Sequence, residues 1–210
     1  AAAGSSDCAS AAKVLSEKTS LELGDASLVM KLTDLRPLAS FPRLKALKLN
    51  YLGLDSIQLL YVLQYLPDLV DLDLSNNVLV NVRGLSRFTK KLERLVLSGN
   101  PLAETAGPIF SETEGKIWTR LGSLEIVKAG LARLPDGMPA SIFSLDVRQN
   151  VFTKEAFAAL KPLMDQTNRF PRLKLILLQE AFAPAFAPAD RPAVVQEAQS
   201  WMPETHFKTF

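Results

Sequence analysis

The sequence holds one cysteine, Cys8, and one histidine, His206, in 210 residues. A single cysteine excludes an internal disulfide and any multi-cysteine metal site. A Cys–His nucleophilic pair would have to bridge the two ends of the chain, so thiol chemistry of that kind is not expected. No run of 18 or more apolar residues occurs, which excludes a transmembrane helix, and the start lacks the basic and apolar regions of an uncleaved signal peptide. Blocks of one charge are missing too. The 24 basic and 22 acidic residues, net +2, are interspersed along the chain. Neither nucleic acid nor membrane is therefore expected as a partner, since both call for clustered Lys and Arg. There is no GxGxxG after a strand, no GxxxxGK(S/T) loop and no HExxH, so no cofactor, no metal and no catalytic residue is expected.

What is present is apolar material, 48% of residues, and it is periodic. The spacing LxxLxL recurs at Leu44, Leu47, Leu49; Leu69, Leu72, Leu74; Leu92, Leu95, Leu97; Leu121, Leu124, Ile126; and Ile142, Leu145, Val147. A further copy is Leu173, Ile176, Leu178, whose lead-in Phe170-Pro171-Arg172-Leu173 repeats Phe41-Pro42-Arg43-Leu44, and a weak first copy stands at Leu21 and Leu23. First leucines lie 25, 23, 29, 21 and 31 residues apart, a period that demands a stack of similar units with insertions at the long spacings. Within a unit the alternation, as in Leu72-Asp73-Leu74, is that of a short strand with one face inward. Asn77, Asn100 and Asn150 close three copies, where a side-chain amide can satisfy backbone groups of adjacent turns. Leu52, Ala129 and Ala181 stand there in other copies, and a looser or differently bonded turn is expected at each.

The segments LPDLVDLDLSNNVL (Leu66 to Leu79) and KLERLVLSGNPL (Lys91 to Leu102) resemble the leucine-rich-repeat family, and the resemblance covers about Leu21 to Glu180. TDLRPLASFPRLKALKLN (Thr33 to Asn50) is similar to internalin-like repeats and the related phosphatase-regulator type, and LPDGMPASIFSLDVRQN (Leu134 to Asn150) resembles short bacterial effector repeats. The mixture fits no single subfamily. The resemblance implies an α/β solenoid: a curved parallel sheet on the concave side, with helices and irregular connectors on the convex side.

The organisation expected is an N-terminal cap over 1–20, a solenoid of six to seven repeats over 21–180, and a Pro/Ala-rich linker with a terminal helix over 181–210. Asp55 to Leu66 carries apolar residues at helical spacing, and Thr153 can cap a helix running through Leu163, with Pro162 bending or restarting it. The insertion Ala103 to Arg120 reads as a loop or short helix projecting between copies, anchored by Phe110 and Trp118. Cys8 to Leu15 has helix-forming composition and suits the first strand's open edge. Pro192 to Trp201 could fold back on the last repeat or project to a partner. Leu175 and Leu177 fall on the outer strand face, to be covered by the tail or left as an apolar patch. The small-residue run Ala1 to Ser6 fits an end left by a signal peptidase and equally a plain chain boundary. An exported location, periplasmic or extracellular in a bacterium, is slightly favoured over a cytoplasmic one.

Residues between the inward leucines point outward and stack into a ladder. Its candidate binding residues are Lys48, Tyr51, Asp71, Asp73, Arg94, Val96, Glu125, Asp146 and Arg148, with Glu22, Asn50, Asn76, Lys128 and Gln149 beside them. Mixed charge with Tyr and Arg is the composition of protein interfaces. The carboxylates follow from strand stacking and need no acid–base role. A non-catalytic module binding a partner protein through the concave face, the insertion loop and tail, or both, is expected, as a monomer or a subunit of a hetero-complex. The alternatives are a scaffold subunit of a larger assembly and, by family analogy alone, a regulator of an enzyme such as a phosphatase.

Overall fold

The structure, a computed structural model, describes residues 8–24, 26, 34–55, 60, 61, 63–104, 108–165, 170–173, 175–178, 187, 189–193, 196 and 206–208. The repeats become strands β1 (Ser20–Leu23), β2 (Ala46–Leu49), β3 (Asp71–Asp73), β4 (Arg94–Val96), β5 (Ser123–Glu125), β6 (Ser144–Asp146) and β7 (Leu175–Leu177). An eighth, β8 (His206–Lys208), follows near the end of the chain. All pair in parallel and in sequence order within one sheet, so each connector returns over the same face.

Register follows the leucine pattern. Leu21, Leu47, Leu72, Leu95, Leu124, Leu145 and Ile176 face one another in the ladder and are buried. A one-residue slip would turn this entire row out to water, at a cost of roughly 2 kcal/mol per leucine, which holds the register although most strands are only three residues long. Two flanking rows, from Leu44 to Leu173 and from Leu49 to Leu178, complete the inner wall.

Asn77, Asn100 and Asn150 bind adjacent turns as expected. Asn77 Nδ2 donates to Leu49 O at 2.6 Å and to Leu74 O at 2.9 Å. Asn100 and Asn150 repeat this with Leu74 O and Leu97 O, and with Ile126 O and Val147 O. The turns at Leu52 and Ala129 are differently bonded, as anticipated, but are not left loose. Their N–H groups are taken by the following copy, Asn77 Oδ1 accepting from Leu52 and Leu54, and Asn150 Oδ1 from Ala129 and Leu131. Ala129 has no amide to reach back with, and in the preceding turn Leu102 N–H bonds locally to Asn100 O. Ala181 lies outside the described residues.

On the convex side, Leu60, Tyr61 and Leu63 of the Asp55 to Leu66 connector are helical, and residues 56–59 and 62 lie outside the described set. Residues 105–107 of the insertion lie outside the described set, and its described part, 108–120, does not project. Its helix α2 (Glu112–Ile117) is bonded to the preceding 3-10 turn Leu85–Arg87 through Glu114, which is 1% exposed and accepts from Gly84 N at 2.7 Å and Ser86 Oγ at 3.1 Å. Phe110 and Trp118 are buried edge to face, and Trp118 Nε1 donates to Thr89 O and Thr89 Oγ1. Apolar anchors at both ends of a six-residue helix leave it no room to stand away from the core.

Thr153 caps the next helix, α3 (Lys154–Asp165), its Oγ1 accepting from Ala156 N at 3.1 Å. Pro162 neither breaks nor restarts α3, which runs on through Asp165. At the other end, helix α1 (Cys8–Glu17) stands directly before β1. Beyond residue 178, residues 191–193 and 196 are helical, and most of the Pro/Ala-rich stretch lies outside the described residues. The strand β8 has no counterpart in the sequence reading, which placed only a linker and a helix there.

Candidate functional site

The parallel register converts the outward residues into two rows across the sheet. The first strand positions run Ser20, Ala46, Asp71, Arg94, Ser123, Ser144, Leu175, and the third run Glu22, Lys48, Asp73, Val96, Glu125, Asp146, Leu177. His206 and Lys208 of β8 take the places after Leu175 and Leu177. Strands sit about 4.8 Å apart, so row neighbours are within side-chain reach of one another.

Arg94 is the centre of the first row. It donates from Nη1 to Asp71 Oδ1 at 3.0 Å and from Nη2 to Glu125 Oε1 at 2.8 Å, tying three strands together. Partial burial would lower its pKa, but Glu125 and then Asp71, through charge and hydrogen bonds, raise it instead. Lys48 pairs with Glu22 at 3.3 Å. Arg148 grips Asp146 in a fork, Nε to Oδ1 at 2.9 Å and Nη2 to Oδ2 at 2.7 Å. Asp73 accepts from Ser75 N at 2.9 Å and from Asn50 Nδ2 at 3.4 Å.

Two predicted contact residues face the right way and are covered. Val96 is 5% exposed because it stands in register between the longer Asp73 and Glu125, and Asp146 is 6% exposed beneath its Arg148 fork. The accessible part of the surface is Lys48, Tyr51, Asp71, Asp73, Arg94, Glu125 and Arg148. Leu175 and Leu177 are half-buried at the end of the sheet, with β8 beside them.

Tyr51 owes its position to the turn. The residue two beyond each inner leucine row has a positive φ: Tyr51 (58°), Asn76 (56°), Gly99 (71°), Lys128 (53°) and Gln149 (57°). That conformation costs an ordinary side chain about 1 kcal/mol, and hydrogen bonds between turns hold it, as in Asn76 N–H to Ser98 O at 2.8 Å. Tyr51, 40% exposed, is thereby thrown out at the edge of the concave face.

Sequence reading missed Ser20, Ala46, Ser123 and Ser144, which share Arg94's row and make its floor shallow on both sides. Their place before the inner leucine was the available signal. It also missed that Asn50 Oδ1 is a buried acceptor with no partner among the described residues.

Among the described residues no group of His, Cys, Asp and Glu could hold a metal ion, and no helix is long and apolar enough to cross a membrane. A 470 Å³ cleft opens beside α3, walled by Ala132, Leu134, Ala156, Ala159 and Leu160 with Arg133, Asp136 and Glu155 at its mouth.

No protein-family model and no curated protein matches the chain. Among solved structures it is similar to a chain of the Toll–Spatzle complex, described as a molecular hub in Drosophila development and innate immunity. The identity is 17% and the TM-score 0.53, over 69% of this chain and 18% of that one. An internalin from Listeria monocytogenes aligns at 17% identity over 86% of this chain and 63% of that one, with a TM-score of 0.43. The chain thus spans about a fifth of the first and under two thirds of the second. The fold is the leucine-rich-repeat solenoid, a parallel sheet on the concave side with helices and irregular connectors behind it.

Proposed function

We propose that this leucine-rich-repeat solenoid is a non-catalytic protein-binding module whose concave face engages its partner. Arg94 and Tyr51 are the energetic anchors, and Lys48, Asp71, Glu125 and Arg148 provide charge matching around them. The observation that carries the reading is the Asp71–Arg94–Glu125 bridge. It holds a guanidinium half-buried and pre-oriented at the middle of a rigid sheet, so little side-chain freedom remains to be lost on binding. Tyr51, fixed by its turn, adds a rigid aromatic at the edge.

The resemblance to a chain of a complex that joins two proteins supports the same reading. The test is a pull-down from extracts and extracellular fractions of the source organism, with the wild-type chain beside a Tyr51→Ala/Arg94→Ala variant. A partner captured by the first and lost by the second is expected. Equal capture by both would refute the concave-face reading.

A further inference from the structure

The stacking gathers charges that the sequence disperses. Each of β2 to β7 is preceded by a buried apolar residue two positions before its start, from Leu44 through Leu173, so the residues around it occupy equivalent places on one rim. The backbone confirms the equivalence. The carbonyls of Lys45, Val70, Glu93 and Gly122 each accept two N–H groups from the next copy. Arg43, Asp68, Lys91, Arg120 and Arg172 therefore line up three positions before their strands. Lys45 and Glu93 stand immediately before theirs, and Lys90 lies alongside.

Among the described residues of this rim six bases face two acids, whereas the whole chain has an excess of only two bases. Both acids are already engaged: Asp68 with Lys91, and Glu93 with Arg120. The Lys91 hydrogen bond and charge hold the Asp68 carboxyl below its usual range, and Lys45 adds to this. Arg43, Lys45, Lys90 and Arg172 are exposed and have no ion-pair partner among the described residues. Between Arg120 and Arg172 stands Phe143, 49% exposed, its ring lying over Gly122 so closely that a Cβ there would come within 2.2 Å of it.

We infer that this rim is a docking surface for an extended acidic protein segment, whose carboxylates meet Arg43 and Lys45 at one end and Arg172 at the other and whose apolar side chain covers Phe143. The rim's own ion pairs show the spacing at which it accepts carboxylates. From β2 to β7 it spans five strand steps, roughly 24 Å at about 4.8 Å each, the reach of about seven extended residues. A peptide can place its charges at the vacant bases and skip Asp68 and Glu93. A nucleic acid or a lipid surface presents phosphates too densely to avoid those carboxylates.

The surface is separate from the concave ladder and does not depend on it. The test titrates the full chain with a short labelled peptide of Glu and Asp around one Phe, at low and at physiological salt. An Arg43→Glu/Lys45→Glu/Arg172→Glu variant and the milder all-Gln version are run in parallel, with thermal melts to show that both fold. Binding that weakens with salt, drops about tenfold or more in the reversal variant and survives Tyr51→Ala/Arg94→Ala is expected. Absence of binding, equal binding by the folded rim variants, or tighter binding of a single-stranded oligonucleotide or of phosphatidylserine vesicles would overturn it.

Discussion

The amide oxygen of Asn77 receives the backbone N–H of Leu54, which lies 23 residues earlier in the chain, at 3.1 Å, and that of Leu52 at the same distance. One side chain thus satisfies two buried donors of the preceding turn, while its Nδ2 donates to carbonyls of both turns. Asn150 does the same for Ala129 and Leu131, whereas for Asn100 Oδ1 the bond is to Leu79 N–H.

Removing these amides should therefore cost unequally. Asn77→Ala and Asn150→Ala are expected to lose about 3 kcal/mol each, since each buried group left unsatisfied costs on the order of 1 kcal/mol or more. Asn100→Ala, with one fewer donor stranded, should lose less. Urea denaturation of the three variants checks the order, and a larger loss at Asn100 would refute this account.

Glu114 joins the insertion to the body of the solenoid, accepting from Ser111 N at 2.8 Å and from Gly84 and Ser86. Burial opposes its ionisation, but the hydrogen bonds from Ser111, Gly84 and Ser86 prevail and leave its pKa below the usual 4.5. A lowered folded pKa adds stability above the unfolded value, and that stability fades as pH falls through the folded one. Glu114→Gln should cost about 2 kcal/mol at neutral pH, and the difference from wild type should shrink below about pH 4.5. Denaturation curves at neutral and acid pH provide the measurement, and a gap that widened in acid would contradict the assignment.

Arg94 is partly exposed, so the Asp71–Arg94–Glu125 bridge should matter more to recognition than to stability. Arg94→Ala is expected to shift unfolding by about 1 kcal/mol or less. Arg94→Lys should keep the charge but reach only one carboxylate at a time and so restore partner binding incompletely. Calorimetry with a captured partner would separate the two effects. A stability loss several times larger would make the bridge a structural device.

Gly24 and Gly130 both have positive φ, at 108° and 72°. Alanine at either position should cost about 1 kcal/mol from conformation alone. At Gly24 the added Cβ would fall 1.7 Å from the Asn50 carbonyl oxygen, whereas at Gly130 it meets Ala103 Cβ at 3.3 Å. Gly24→Ala should thus be the more damaging by about 1 to 3 kcal/mol, because backbone must move. Equal melting temperatures would show that the edge of the sheet at β1 yields easily.

The sequence by itself determined the repeat, the strand positions, the inward leucines and the role of the closing asparagines. All of these follow from a spacing that admits one way of burying its apolar residues. The cap at Thr153 and the burial of Phe110 and Trp118 were legible for the same local reason. Tertiary structure decided what depends on neighbours many residues away. It covered Val96 between Asp73 and Glu125, folded the insertion inward through Glu114, and added His206–Lys208 as an eighth strand. It also decided which charges meet. Arg43 and Arg172 are far apart in a sequence of evenly mixed sign. They share one rim because parallel stacking superposes residues one repeat apart, and linear charge order carries no record of that superposition.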